Sequence, residues 1–197
     1  MFSFKGFQTQ DKNTHLEHLE DDIINRGAKG GENAINFLKS VRNMLAGSSG
    51  GVNMTVKWDG APAIICGINP ENGKFFVGTK SVFNKTPKIN YTTSDIRKNH
   101  DGVVAKKLQV CLANLSRLNI KGILQGDLLF TDDLKAINID GEKMISFTPN
   151  TITYAVPINS DLGKRIARAK MGIVFHTSYS GKTMDNLSAS FGTVRGS

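Results

Sequence analysis

Cysteine is almost missing from this chain. Only Cys66 and Cys111 carry thiols, each inside an apolar run, so buried thiols are expected rather than a disulfide or a metal site, and redox chemistry has little support. Long hydrophobic runs are missing too. No stretch approaches the roughly 18 consecutive apolar residues a bilayer span demands, and Met1-Phe2-Ser3-Phe4-Lys5-Gly6 lacks the apolar core of a secretory leader. An intracellular, cytoplasmic protein without a membrane partner is the expectation. No internal repeat is visible. The 197 residues fit one domain or slightly more, and a hydrophobic content of 39% against 21% charged residues excludes disorder throughout.

What the chain has in excess is positive charge. Twenty-five Lys and Arg against seventeen Asp and Glu leave a formal +8, which favours a polyanionic partner through phosphate contacts and counterion release. A basic, well solvated surface accounts for the same number equally well. Charge alone speaks to association and not to fold.

The first fifty residues read as helical. Thr14 and Glu17 form a capping-box pattern, followed by Leu16, Leu19, Ile23 and Ile24 at helical spacing, before Gly27, Gly30 and Gly31 interrupt. A second helix is predicted from about Glu32 to Ala46, with an apolar stripe of Ile35, Leu38, Val41, Met44 and Leu45. The two should pack as a hairpin. After the connector Gly47-Ser48-Ser49-Gly50-Gly51 the period changes to two, with Val52, Met54, Val56 and Trp58 alternating against Asn53, Thr55, Lys57 and Asp59. Further strands are predicted at Ala63–Ile68 and Lys74–Thr79, joined through a turn of Asn69-Pro70-Glu71-Asn72-Gly73, which completes a β-meander. Helices are expected near Ser94–Lys98, from Val103 to Leu118 and over Asp161–Lys170. The remaining strands are placed at Ile120–Phe130, Met144–Phe147, Thr151–Val156 and Gly172–Thr177. This mixed order predicts an α+β fold with mostly antiparallel pairing, divided into a helical segment over 1–50 and a second domain over 51–197.

The segment Thr55-Val56-Lys57-Trp58-Asp59-Gly60-Ala61-Pro62 places an amine, a carboxylate and exposed backbone at one strand end. A lysine there can act as a nucleophile once neighbouring cations or a metal lower its pKa. An exposed strand lysine followed by a turn is the plainer explanation of the same residues. Lys57-Trp58-Asp59-Gly60 resembles motif I, K-x-D-G, of the covalent nucleotidyltransferases, the superfamily of ATP-dependent DNA ligases, RNA ligases and mRNA capping enzymes. The resemblance implies a ligase-like, ATP-grasp-like nucleotidyltransferase domain in which Lys57 attacks the α-phosphate of ATP and retains AMP. It also implies Asp59 as a second catalytic residue that orients the metal or the ribose, and nucleotide contacts along Thr55, Val56 and Gly60.

Downstream segments continue the resemblance in order, over about residues 52 to 182. Phe76-Val77-Gly78-Thr79-Lys80-Ser81 is similar to the strand and turn after motif I, with Lys80 where an arginine is usual. Lys80 would touch phosphate without the bidentate fork of an arginine. Ile123-Leu124-Gln125-Gly126-Asp127-Leu128 resembles motif III, with Asp127 in place of a glutamate, implying a role at the ribose or at Mg²⁺. Thr153-Tyr154-Ala155-Val156 resembles motif IIIa and implies Tyr154 as the base-stacking aromatic. Lys170-Met171-Gly172-Ile173-Val174-Phe175 resembles motif IV, but Met171 stands where that motif carries a metal-binding glutamate. Lys182 is the lysine available for motif V, without a K-x-K pattern, and the OB-fold domain and final motif of many ligases are missing. The stretch also resembles ligase-like proteins of tailed phages, which implies the host cytoplasm.

Other small signals lead elsewhere. Ser180-Gly181-Lys182-Thr183 mimics the end of a P-loop, but its first glycine would fall at His176. His15 and His18 are spaced to share a metal, though the glutamates around them describe a solvated helix face. Asp132 and Asp133 read as turn residues that would also serve as metal ligands if the missing glutamate is replaced; His176 would reach phosphate from the end of its strand. The implied function is an ATP- and Mg²⁺-dependent polynucleotide ligase-like enzyme acting on nucleic-acid 5′-phosphate ends. The alternatives are a catalytically degenerate nucleotide- or nucleic-acid-binding module, or a structural assembly protein.

Overall fold

A computed structural model describes residues 19–47 and 58–191. The chain divides into two compact units, Met1–Val56 and Lys57–Ser197. The capping pattern at Thr14 and residues 52–57 of the strand placed over Val52–Asp59 lie outside the described residues, while Trp58 and Asp59 at its end are not in a strand.

In the first unit, helix α1 (Leu19–Arg26) is followed at once by α2 (Ala28–Leu45). The junction is Gly27, whose φ of 55° suits glycine. Expected breakers at Gly30 and Gly31 turn out to be helical, so α2 begins four residues before the predicted Glu32. The reason is steric: a Cβ on Gly30 would lie 1.9 Å from the Asp22 carbonyl oxygen, so this glycine lets the backbones of α1 and α2 meet. Asp22 is buried there, accepting a hydrogen bond from Asn33 (3.2 Å) and facing Arg26 at 3.3 Å.

The second unit is α+β and its sheets are antiparallel throughout. Strands β1 (Ala63–Ile68), β2 (Phe75–Gly78), β3 (Ile123–Phe130), β7 (Gly172–Ser180) and β8 (Ser188–Phe191) form one sheet in the order β2-β1-β3-β7-β8. A second sheet orders β4 (Lys135–Ile139), β5 (Glu142–Phe147) and β6 (Tyr154–Pro157). Helices α3 (Thr93–Asn99), α4 (Gly102–Leu115) and α5 (Asp161–Arg168) complete the unit, making five α-helices among the described residues. None of these helices is long and apolar enough to cross a membrane.

Both faces of the larger sheet are covered, which is why β1 reads as the unbroken apolar run Ala-Ile-Ile-Cys-Gly-Ile. Ile64, Cys66, Val77 and Leu128 pack against Ile96 of α3 and Ala105, Leu108, Cys111 and Leu115 of α4. Ile65, Phe76, Ile123 and Tyr179 form the opposite layer with Val82 and Met184. A third core gathers Leu129 and Phe130 of β3 with Ile145, Phe147 and Ile166. The two cysteines are free and buried as expected, and burial pushes each thiol up to about 12.

Two irregularities interrupt the β3–β7 ladder. Gln125 pairs with Thr177 but Gly126 with Phe175, leaving His176 as an extra residue in β7. Such a bulge re-aims a side chain that regular pleating would point elsewhere. Beside the edge strand β2, the fully buried Asn90 bridges to Val77 through the backbone, donates its side-chain amide to the Val77 carbonyl (2.9 Å), lies 3.4 Å from His100 Nε2 and accepts from Asn99 (2.9 Å). Burial foremost, with the Lys88 cation second, holds the His100 pKa below its usual value.

Two outcomes follow from this packing. Leu108→Ala removes a fully buried side chain from the α4 core and should cost about 2–5 kcal/mol in urea-unfolding stability. For His100 the unfolded chain binds the proton more readily than the folded one, so stability is complete above about pH 6.5 and lost as pH falls through the lower folded value. Melting temperature followed from pH 7 to 5 should therefore fall more steeply for the wild type than for His100→Gln.

Candidate functional site

The site is built where the chain enters β1. Residues Trp58 to Pro62 lie along the end of β3: the Ala61 amide donates to the Leu128 carbonyl (3.0 Å) and the Leu128 amide to the Pro62 carbonyl (3.3 Å). At Gly60 the crossing leaves no room for a side chain. A Cβ there would stand 2.6 Å from Asp127 Cβ and 2.8 Å from the Leu128 carbonyl oxygen. Asp127 pairs with Ala63 on one side and Val174 on the other, and its side chain keeps 15% of its exposure.

Asp59 is fixed by the turn that precedes β6. Its carboxylate accepts from Asn150 Nδ2 (3.1 and 3.3 Å) and from Thr151 Oγ1 (3.0 Å), while its amide donates to the Tyr154 hydroxyl (3.0 Å). The Tyr154 ring stacks on Phe147, with centroids 5.4 Å apart, and meets Trp58 at 5.0 Å. Packing against Phe147 and Trp58 and one hydrogen bond thus account for the placement of Tyr154.

His176 is brought to Asp127 by the bulge in β7. Its Nε2 lies 3.6 Å from Asp127 Oδ1, and its Nδ1 sits 2.8 Å from the hydroxyl of the buried Thr177. The sequence placed His176 near phosphate, but the pairing with Asp127 was not legible, because periodicity does not reveal a bulge. Lys80 opens the short helical turn Lys80–Phe83, capped by the Thr79 hydroxyl. The register that sets Gly78 opposite Ile65 carries Lys80 toward the Ala63 end of the sheet, the end that also holds Asp127.

Other expected residues are placed apart from this group. Lys182 follows Ser180, which is six residues along β7 from Val174, roughly 20 Å at about 3.3 Å per residue, so it sits at the opposite end of the ladder from Asp127. Met171 packs against the α3/α4 core. Asp133 is occupied as a turn residue and ion-pair partner: its Oδ1 accepts the Thr131 amide (2.8 Å) and its Oδ2 lies 3.2 Å from Lys107 Nζ. Burial would raise its pKa, but the Thr131 amide and the Lys107 ammonium outweigh that and hold it low. Asp132 accepts from the Thr131 hydroxyl at 3.0 Å. Among the described residues, no group of three or more His, Cys, Asp or Glu side chains is gathered as a metal site. Lys57, Thr55 and Val56 lie outside the described residues, with Lys57 immediately before Trp58.

The second unit is thus an α+β fold whose five-stranded antiparallel sheet carries the Asp127 carboxylate against Gly60 of the incoming loop. Over residues 13–196 the chain matches the family described as "Family of unknown function (DUF6267)", and it belongs to that family. No curated protein and no solved structure matches it.

The Gly60 crossing makes a direct expectation. Gly60→Ala has to push the loop off β3 or displace Asp127, and should cost about 1–3 kcal/mol as an overpacked contact, measured by thermal and urea unfolding. Gly31→Ala, where an added Cβ meets nothing within 4 Å, should be neutral or stabilising in the same assay.

Proposed function

We propose that this chain is an ATP-dependent, ligase-like nucleotidyltransferase that forms a lysyl-AMP intermediate at Lys57 and acts on nucleic-acid 5′-phosphate ends. The observation that carries the reading is the contact of Gly60 with Asp127, which joins the K-x-D-G segment to the motif III-like carboxylate. Gly60 and Asp127 are 67 positions apart, and the two segments that resemble one superfamily in sequence meet there in space.

In the first half-reaction the deprotonated Lys57 amine attacks the α-phosphorus of ATP. A P–N bond forms, the P–O bond to pyrophosphate breaks, and two protons leave the nitrogen, one to solvent as the ammonium becomes the amine and one to solvent or pyrophosphate as the amine becomes the phosphoramidate N–H. Mg²⁺ is commonly held by one or two carboxylates together with substrate phosphates, a use that the partly exposed Asp127 fits. Bound there, the ion would supply charge neutralisation on the phosphates. Asp59, tied to Asn150 and Thr151, keeps the segment after Lys57 in place. Lys80 adds a cation at the same end of the sheet, and the Tyr154–Trp58 pair offers an aromatic wall. In a second step AMP would pass to a 5′-phosphate, from which a 3′-hydroxyl would displace it.

A non-catalytic nucleotide- or nucleic-acid-binding module is the competing reading. It is favoured by Met171, which packs in the core at the position of the motif IV glutamate, and by the distance of Lys182 from Asp127. Intact-mass spectrometry after incubation with ATP and Mg²⁺ separates the two. An enzyme gains one AMP per chain, and Lys57→Ala loses the adduct completely. An adduct that survives in Lys57→Ala removes Lys57 as the nucleophile, whereas an ATP-dependent rise in melting temperature without any adduct supports the binding module.

A further inference from the structure

Helix α5 carries a basic hollow that the nucleotidyl-transfer reading does not use. The helix is pressed onto β6 at Gly163, where a Cβ would lie 2.1 Å from the Pro157 carbonyl oxygen, and Ile166 enters the third core. Ser160 caps its first turn by accepting from the Gly163 amide at 3.0 Å. With Gly163 and Ile166 turned inward, Lys164, Arg165 and Arg168 are left exposed. They line an open hollow of about 480 Å³ together with Asp161 and Ala169.

The lining carries three cations against one carboxylate. Among the described residues none of the three cations is in an ion pair. A cation in the last turn complements the helix dipole, which one arginine would satisfy; three around one hollow exceed that need. We infer that the α5 hollow is the surface on which this protein seats a nucleic-acid phosphodiester backbone. Guanidinium forks match phosphate oxygens in pairs, and the chain's +8 charge draws a polyanion to it. A membrane is the poorer fit, since insertion requires an apolar face and the only large apolar side chain exposed on α5 is Leu162. The inference deepens the nucleic-acid part of the proposed function, on which it rests in choosing phosphodiester over other polyanions.

The test is fluorescence anisotropy on full-length protein with labelled single- and double-stranded DNA and RNA oligonucleotides over a salt series. Arg165→Gln/Arg168→Gln should weaken binding at least tenfold at low salt and reduce the slope of log K against log [salt] by about two, near 0.9 per lost phosphate contact. Arg97→Gln/Lys98→Gln on α3 removes the same charge elsewhere and should change binding less than twofold, with circular dichroism confirming that both variants are folded. Equal losses in the two double variants would reduce the effect to global charge and overturn the inference. Absence of binding by the wild type at low salt overturns it as well, as does binding to phosphatidylserine vesicles with the same α5 dependence but none to oligonucleotides. The Lys57 adduct separates the two proposals: a wild type that forms the adduct but binds no oligonucleotide defeats the α5 surface together with the nucleic-acid acceptor and leaves adduct formation at Lys57 standing, whereas one that binds through α5 without an adduct defeats nucleotidyl transfer alone.

Discussion

Backbone packed on backbone at residue 60 governs the candidate site. Because Gly60 has no side chain, the loop after Trp58 can lie directly on β3, and the hydrogen bonds between Ala61 or Pro62 and Leu128 then extend the β1–β3 ladder past the end of β1. Everything nearby takes its position from that crossing. Asp59 is carried out toward the turn before β6, Asp127 is covered from above, and Trp58 is delivered to the third core.

The same crossing couples the two sheets. Asp59 lies in the loop that enters the larger sheet, whereas its partners Asn150 and Thr151 lie in the loop between β5 and β6 and Tyr154 opens β6 of the smaller one. Hydrogen bonds to an ionised carboxylate are stronger than neutral ones, and here they bridge residues more than ninety positions apart. The aromatic set of Trp58, Phe147 and Tyr154 supplies the apolar side of the same junction. The structural role of Asp59 is compatible with the proposed role of Lys57, since a nucleophile gains from rigid neighbours.

Where burial imposes a clear period, the sequence was a good guide. Ala63–Ile68 is recovered at its exact ends, α4 and α5 lie close to their predicted spans, and the α+β class with antiparallel pairing holds. Strand β4 was missed because Lys135, Ala136, Asn138 and Ile139 are exposed, so no alternation marks it. Strand β8 was missed for a similar reason: Ser-Ala-Ser-Phe is too short to show a pattern. The glycines of α2 misled because a glycine can serve contact as readily as it serves a break. At the site, the sequence singles out Asp59, Gly60 and Asp127, and the structure brings Gly60 against Asp127, whereas the grip of Asn150 and Thr151 on Asp59 depends on tertiary contact that no spacing encodes.

The extra residue at position 176 also resets the phase of β7. Before it, Ile173 and Phe175 turn toward the helices; after it, Tyr179, another odd-numbered residue, turns to the opposite layer and donates to Gln125 at 2.6 Å. Parity along this strand is therefore reversed by a single residue. Excising that residue would take the imidazole from Asp127 and close the bulge, yet leave the rest of β7 in phase, because Thr177 would then follow Phe175 directly and still stand opposite Gln125.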